Sequence, residues 1–253
     1  MLLLAENKQS AEEEEKSMAR QVSRGMCTFC HRALSKSSMG RHLASCEQRA
    51  AVQLEASSRQ KVQKTRAFHV VVEGYRLPMY WMHLEVAAGA TLATLDRFLR
   101  DTWLECCGHL SAFEIEGVRY AVDADMYDWD TGGKSMRVRL DGVLNPGQTC
   151  SYEYDFGSTT ELTVKVISEQ EVGMRGRAIQ ILARNSLPII PCDVCGEPAT
   201  SICTQCIYED EGCLCDACVK DHKCGEEMLL PLVNSPRVGI CGYTGRDPAY
   251  TFW

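Results

Sequence analysis

The amino-acid sequence predicts an α+β fold: a largely antiparallel sheet with one main covering helix, set between two cysteine-bearing modules. Three observations lead there. Four segments between Ala67 and Leu187 alternate apolar and polar residues, the period of a strand with one wet face, which favours antiparallel pairing. One stretch between them, Leu92, Leu95, Phe98, Leu99 and Trp103, recurs at helical spacing instead. The fifteen cysteines are unevenly spread, with nine of them between Cys192 and Cys241.

Residues 1–23 read as an acidic leader. Met1 to Ala5 is apolar, but Glu6 and then Glu12 to Glu15 follow at once, which fits neither a signal peptide nor a transit peptide. Residues 24–66 read as a small cysteine module with a basic helix. Its ligand pattern, Cys27-x2-Cys30-x11-His42-x3-Cys46, resembles a Cys2His2 zinc finger whose last His is replaced by Cys. On one helix His42 and Cys46 stand at i and i+4, on the same face, and can share a metal. Leu34 and Met39 fall near the core positions of such a finger. From Met39 to about Gln63 the chain has no Pro and, after Gly40, no Gly, so it reads as one continuous helix.

Residues 67–187 carry the sheet. Phe68, Val70 and Val72 form one alternating run, and Met136, Val138 and Leu140 a second. Cys150, Tyr152, Tyr154 and Phe156 form a third, and Leu162, Val164 and Val166 a fourth. Gly157-Ser158 supplies a turn between the last two. The amphipathic helix at Leu92–Trp103 would cover the apolar face. Pro188 and Pro191 mark the exit into residues 188–253, a cysteine-rich module and tail.

That module reads C-x2-C-x7-C-x2-C-x8-C-x2-C-x3-H-x-C from Cys192 to Cys224, enough for two tetrahedral zinc sites. A cross-braced module would pair Cys192, Cys195, Cys215 and Cys218 on one ion. Cys203, Cys206, His222 and either Cys224 or Cys241 would then hold the other. A sequential pairing fits the spacing as well, and Cys213 is surplus. With the finger, three Zn2+ ions are expected. Ligands in excess argue for structural rather than catalytic zinc, which keeps an open position. The spacing is similar to that of B-box and MYND modules, which are mostly protein-interaction devices.

Charge is partitioned along the chain. The net charge is -7, yet residues 16–66 hold eleven Lys and Arg against two Glu. A basic segment on an acidic body predicts an acidic partner, nucleic acid first, with Arg32, Lys36 and Arg41 as phosphate contacts. One finger buries only about 600–1,000 Å² on DNA and is weak alone. The competing expectation is a basic helix that docks on the acidic body of its own chain, leaving a pure protein-interaction adaptor. From Ile190 to Cys224 seven acids face Lys220 and Lys223; this surface would repel phosphate and suits a protein partner.

Enzymatic readings are thin. Cys106-Cys107-Gly108-His109 sets a thiol beside an imidazole, which can be a nucleophile pair or an extra metal site; an enzyme would use Cys107, His109 or Asp155, but the sequence offers no third orienting group. A helix end packed on the sheet is the favoured account. Asp123, Asp125, Asp128 and Asp130 lack the glycine and terminal Glu of an EF-hand and read as a solvated loop. No P-loop, GxSxG, HExxH or dinucleotide fingerprint is present, so a non-enzymatic role is expected. No apolar run approaches the roughly 18 residues of a membrane span. C-x2-C pairs without an export signal point to a reducing, cytoplasmic setting.

Several motifs fit one family. Pro78-x2-Trp81 precedes a strand, Ala90-Thr91-Leu92 opens the helix, and Gly108-His109-Leu110-Ser111-x-Phe113 follows it. Tyr152-Glu153-Tyr154-Asp155-Phe156-Gly157 is the most specific. Phe68 to about Ser168 thereby resembles the plasmid ORF-3-like family, also described as insertion-element passenger proteins. The tail Asn234-Ser235-Pro236-Arg237-x3-Cys241-Gly242-Tyr243 is similar to that of its cysteine-rich branch, which also carries an N-terminal finger. The resemblance implies an α+β domain and a mobile-element or defence setting, and no established activity.

Overall fold

The structure, a computed structural model, describes residues 23–58, 64–122, 133–174, 176–209 and 211–245. The body of the acidic leader, Lys61 and the stretch from Asp123 to Asp130 lie outside the described residues. Within them, ten strands form one sheet: β1 (Arg24–Cys27), β2 (Ala33–Ser35), β3 (Lys64–Gly74), β4 (Leu77–Ala87), β5 (Ser111–Ile115), β6 (Val118–Ala121), β7 (Lys134–Ser135), β8 (Thr149–Tyr154), β9 (Thr160–Gly173) and β10 (Ile179–Asn185). Their spatial order is β2-β1-β10-β4-β3-β9-β8-β5-β6-β7. Pairing is antiparallel except between β6 and β7. The α+β expectation holds, with a sheet that is largely antiparallel.

One face carries the main core. Phe68, Val70 and Val72 of β3 share it with Met82, Leu84 and Val86 of β4, Leu162, Val164 and Val166 of β9, and Tyr152 and Tyr154 of β8. Helix α3 (Leu92–Leu99) lays Leu92, Leu95 and Leu99 on that face. Thr91 caps it by accepting from the Thr94 N–H at 3.2 Å, which satisfies one of the free amides of the first turn. A π-helical turn, Arg100–Leu104, continues the helix and buries Trp103 and Leu104.

The opposite face is covered as well. Helix α1 (Lys36–Ser45) and helix α2 (Glu47–Ser58) belong to the N-terminal module. Met39 and Leu43 of α1 pack with Trp81, Leu182 and Ala183. This explains why the alternate residues of β3 and β4, His69, His83 and Glu85, are polar yet buried. The module is continuous with the sheet, because β1 pairs with β10 from Gly25↔Asn185 to Cys27↔Ala183.

Three expectations are corrected. The predicted single helix is two, broken at Cys46, whose backbone is extended (φ -73°, ψ 111°). The Cys46 carbonyl opens α2 by accepting from Ala50 N at 3.0 Å, and Arg49 Nη1 donates to the Leu43 carbonyl at the end of α1 (2.9 Å). His42 and Cys46 are thus brought together by a helix end rather than by one helical face. Met136–Leu140 is not a strand. It is tied to the start of α3 by a bridge between Thr91 and Arg139 and by the Leu92 and Ala93 N–H groups, which donate to the Val138 and Met136 carbonyls, and a 3-10 turn follows at Leu140–Gly142; Met136 and Leu140 fill the core from a loop. The alternation through Phe156 stops at Tyr154, because Asp155 turns into left-handed backbone (φ 65°) and leaves Phe156 exposed.

Beyond Asn185 a small three-stranded sheet, ordered β12-β11-β13, carries the C-terminal cysteines: β11 (Ser201–Cys203), β12 (Cys213–Leu214) and β13 (Leu229–Pro231). Its apolar cluster is centred on Cys192, Leu214 and Cys215, too small to hold a fold without further ties.

Candidate metal centres

In the N-terminal module the chain turns back at His31 (φ 56°), with His31 N–H donating to the Cys27 carbonyl at 3.0 Å. This tight turn carries Cys27 and Cys30, and the end of α1 supplies His42 and Cys46. The four ligand atoms lie within 4.8 Å of one another. Cys27 Sγ is 3.9 Å from Cys46 Sγ, and Cys30 Sγ is 3.2 Å from His42 Nε2.

The C-terminal module gathers two further tetrads: Cys192, Cys195, Cys215 and Cys218, and Cys203, Cys206, His222 and Cys224. The pairs alternate along the chain, Cys192/Cys195 and Cys215/Cys218 at one centre and Cys203/Cys206 and His222/Cys224 at the other, so the arrangement is cross-braced, with Cys224 rather than Cys241 in the second. Cys195 Sγ and Cys215 Sγ are 3.6 Å apart, as are Cys206 Sγ and Cys224 Sγ; Cys206 Sγ lies 3.7 Å from His222 Nε2. Cys213 stays outside both, and burial pushes its thiol up to about 11.

These separations discriminate between chemistries. A disulfide needs about 2.05 Å between sulfurs, and every cysteine described is a free thiol. A zinc tetrahedron with bonds of about 2.3 Å places its sulfurs about 3.8 Å apart. The donor sets and their spacing therefore fit a tetrahedral thiophilic ion. In each C-terminal tetrad one buried thiol is drawn toward the thiolate such an ion needs, while its partners Cys206 and Cys218 are pushed up by the neighbouring thiols. Burial disfavours a charged Cys192, but N–H groups of Cys215, Cys195 and Val194 overcome it and draw the thiol down to about 6. Cys203 comes down to about 6 against its own burial, through the Cys206 N–H, the His222 ring and the Gln205 N–H. At each centre the ion would tie together short segments that have little apolar packing of their own.

A fourth tetrad lies where the sequence pattern held only a hint. Cys106, Cys107 and His109 meet Cys241 from the C-terminal tail, again with all ligand atoms within 4.8 Å. Spacing could not reveal Cys241 as their partner, because the two segments are more than a hundred residues apart. The tail motif that carries it, Arg237-x3-Cys241-Gly242, was the available signal. Asp155 joins the same region: Oδ2 accepts from Arg237 Nη2 at 2.7 Å and lies 3.6 Å from His109 Nε2. Burial works against the Asp155 carboxylate, but Arg237 and the Gly157 and Ser158 N–H groups hold it below the usual range.

The three residues expected at phosphate separate. Arg32 and Arg41 are exposed, and no carboxylate pairs with either among the described residues. Lys36 is turned inward, ion-paired with Glu73 and donating to the Pro78 carbonyl at 3.2 Å. Arg49 is buried and bonded to Glu85 Oε1 at 2.7 Å. Part of the basic segment is thus spent on its own body.

A family model described as plasmid pRiA4b ORF-3-like protein matches residues 64–211, which spans the sheet from β3 onward and the first four C-terminal cysteines. A solved structure, the protein of unknown function MM3350 from Methanosarcina mazei Go1, is similar at 16% identity with a TM-score of 0.39, over 48% of this chain and 68% of that one. No curated protein matches the chain.

Proposed function

The chain belongs to the plasmid pRiA4b ORF-3-like family, and on that premise we propose that it is a non-enzymatic, zinc-scaffolded adaptor that binds a protein partner. The observation that carries this reading is the direction of the finger's charges. Lys36 and Arg49 neutralise Glu73 and Glu85 of the chain's own sheet, as a docking module's would. The partner is bound by the C-terminal module, where Val194 and Tyr208 are 71% and 80% exposed among Asp193, Glu197, Glu209 and Glu211. Such a surface suits a partner with basic and apolar side chains. The family's plasmid origin is consistent with a mobile-element setting.

Nucleic-acid contact through the finger is the second reading, favoured by the exposure of Arg32 and Arg41. Fluorescence anisotropy of labelled DNA and RNA against the full chain at about 50 and 200 mM salt separates the two, since phosphate contacts release counterions and weaken steeply with salt. The adaptor reading expects no salt-dependent binding. Binding that falls with salt and is abolished in the double variant Arg32→Glu, Arg41→Glu would overturn it in favour of nucleic acid. Point variants are the right tool: a chain starting at residue 67 would lose β1 and strip a strand from β10.

A further inference from the structure

We propose that Cys106, Cys107, His109 and Cys241 form a fourth metal site for zinc, one that fastens the C-terminal tail to the sheet domain and exchanges its ion faster than the other three. The distances match those of the other tetrads. Cys107 Sγ is 3.8 Å from Cys241 Sγ, and His109 Nε2 is 3.3 Å from the same sulfur. Gly108, in left-handed backbone (φ 75°), turns the chain so that the neighbouring Cys106 and Cys107 and the following His109 converge on one point.

Both halves are held in place by contacts of their own within the protein. On the sheet side, Tyr154 Oη accepts the His109 N–H at 3.3 Å and donates to Glu105 Oε1 at 3.0 Å. Glu105 Oε1 also accepts the Gly108 N–H at 2.5 Å. The His109 ring stands edge-on to Tyr154 (centroids 5.7 Å apart). On the tail side, Ser235 Oγ donates to the Trp103 carbonyl at 2.6 Å. Arg237 is fully buried, with Nη1 donating to Thr160 Oγ1 at 3.0 Å and Nη2 to Asp155. Cys241 and Gly242 are then both left-handed (φ 51° and 68°), which aims the Cys241 sulfur back at the loop. A non-glycine residue keeps that conformation only where its surroundings fix it.

Charge and access set this site apart. Three thiolates and a neutral imidazole around Zn2+ leave one negative charge, and binding would release the three thiol protons. The Arg237 guanidinium is already paired with Asp155, so that charge is left to the solvent around Cys107 and Cys241. Cys107 and Cys241 are exposed, and no member of the tetrad is buried, whereas each of the other three includes at least one buried cysteine. Solvent and chelators therefore reach this ion first.

Native mass spectrometry of the zinc-loaded full chain tests the assignment. Four ions are expected in the wild type and three in the Cys107→Ser, Cys241→Ser variant. A chromogenic chelator should withdraw one equivalent from the wild type at least about ten-fold faster than the rest, and that phase should be missing from the variant. Three ions in the wild type, or an unchanged count in the variant, would overturn the proposal. If the double variant does not fold, Cys241→Ser alone is read in the same way, and a wild-type count of three overturns the site whatever the variants do.

Discussion

Asp155 sits in left-handed backbone at the turn between β8 and β9, and its carboxylate is neutralised by Arg237 from 82 residues away. The family-like hexapeptide that ends the strand and the family-like tail thus meet through one buried ion pair. Removing one partner leaves a buried charge uncompensated, which costs about 3–5 kcal/mol. Arg237→Met should lower unfolding stability by that order in denaturant titration, and adding Asp155→Asn should recover part of the loss; a single variant as stable as wild type would contradict the role. His69 and His83 make a second residue-scale case. Their rings share a hydrogen bond of 2.9 Å from Nε2 to Nδ1, which requires one nitrogen to accept and so one ring at least to be neutral. Burial first, then Arg49, lowers His69 to about 4; burial, then His69 and nearby cations, lowers His83 to about 3. Unfolded histidine titrates near 6.5, so below that pH the unfolded chain binds protons that the fold refuses. Stability is therefore full above about pH 6.5 and falls as pH drops toward 4, by about 1.4 kcal/mol per pH unit for each ring. Nitrogen-15 NMR at pH 6 should show both rings neutral, and a charged ring at that pH would refute the account.

At the scale of elements, the strands with strict alternation were legible. Val70, Val72, Val164 and Val166 each have a buried core face and a partner strand on either side. Met136–Leu140 alternates equally well and is not a strand, because alternation reports only which side chains are buried. A loop crossing the end of α3 buries Met136 and Leu140 in the same way. The break at Cys46 was illegible for a related reason: helix propensity is continuous there, and tertiary contacts of Arg49 and the ligand geometry end the helix. Local C-x2-C pairs announced three tetrads, whereas the fourth depends on a long-range meeting that no spacing records. Union of the finger with the sheet rests on Gly25 of β1. A Cβ there would lie 2.2 Å from the Arg184 carbonyl oxygen and 2.7 Å from Asn185 Cα, both backbone, so nothing can move aside cheaply. Gly25→Ala should cost more than about 2 kcal/mol and raise amide exchange in β1 and β10 while β8 and β9 stay protected. Unchanged exchange would mean that the pairing does not hold the finger.

The whole molecule is a sheet covered on one face by α3 and on the other by the finger's helices, with a cysteine module and a tail attached at its end. No described helix is long and apolar enough to cross a membrane. The parts differ in what holds them. The sheet buries a large apolar core, while the C-terminal module has strands of two or three residues and a cluster centred on Cys192, Leu214 and Cys215. Structural zinc contributes about 10–16 kcal/mol of apparent free energy in small domains at neutral pH, far more than that cluster can. Hydrogen exchange of the full chain, zinc-loaded and then stripped by a strong chelator, compares the two sources of order directly. Zinc as scaffold predicts that amides across residues 192–232 lose their protection on stripping, while β3, β4, β8 and β9 keep theirs. Protection unchanged across residues 192–232 after the metal is gone would contradict it.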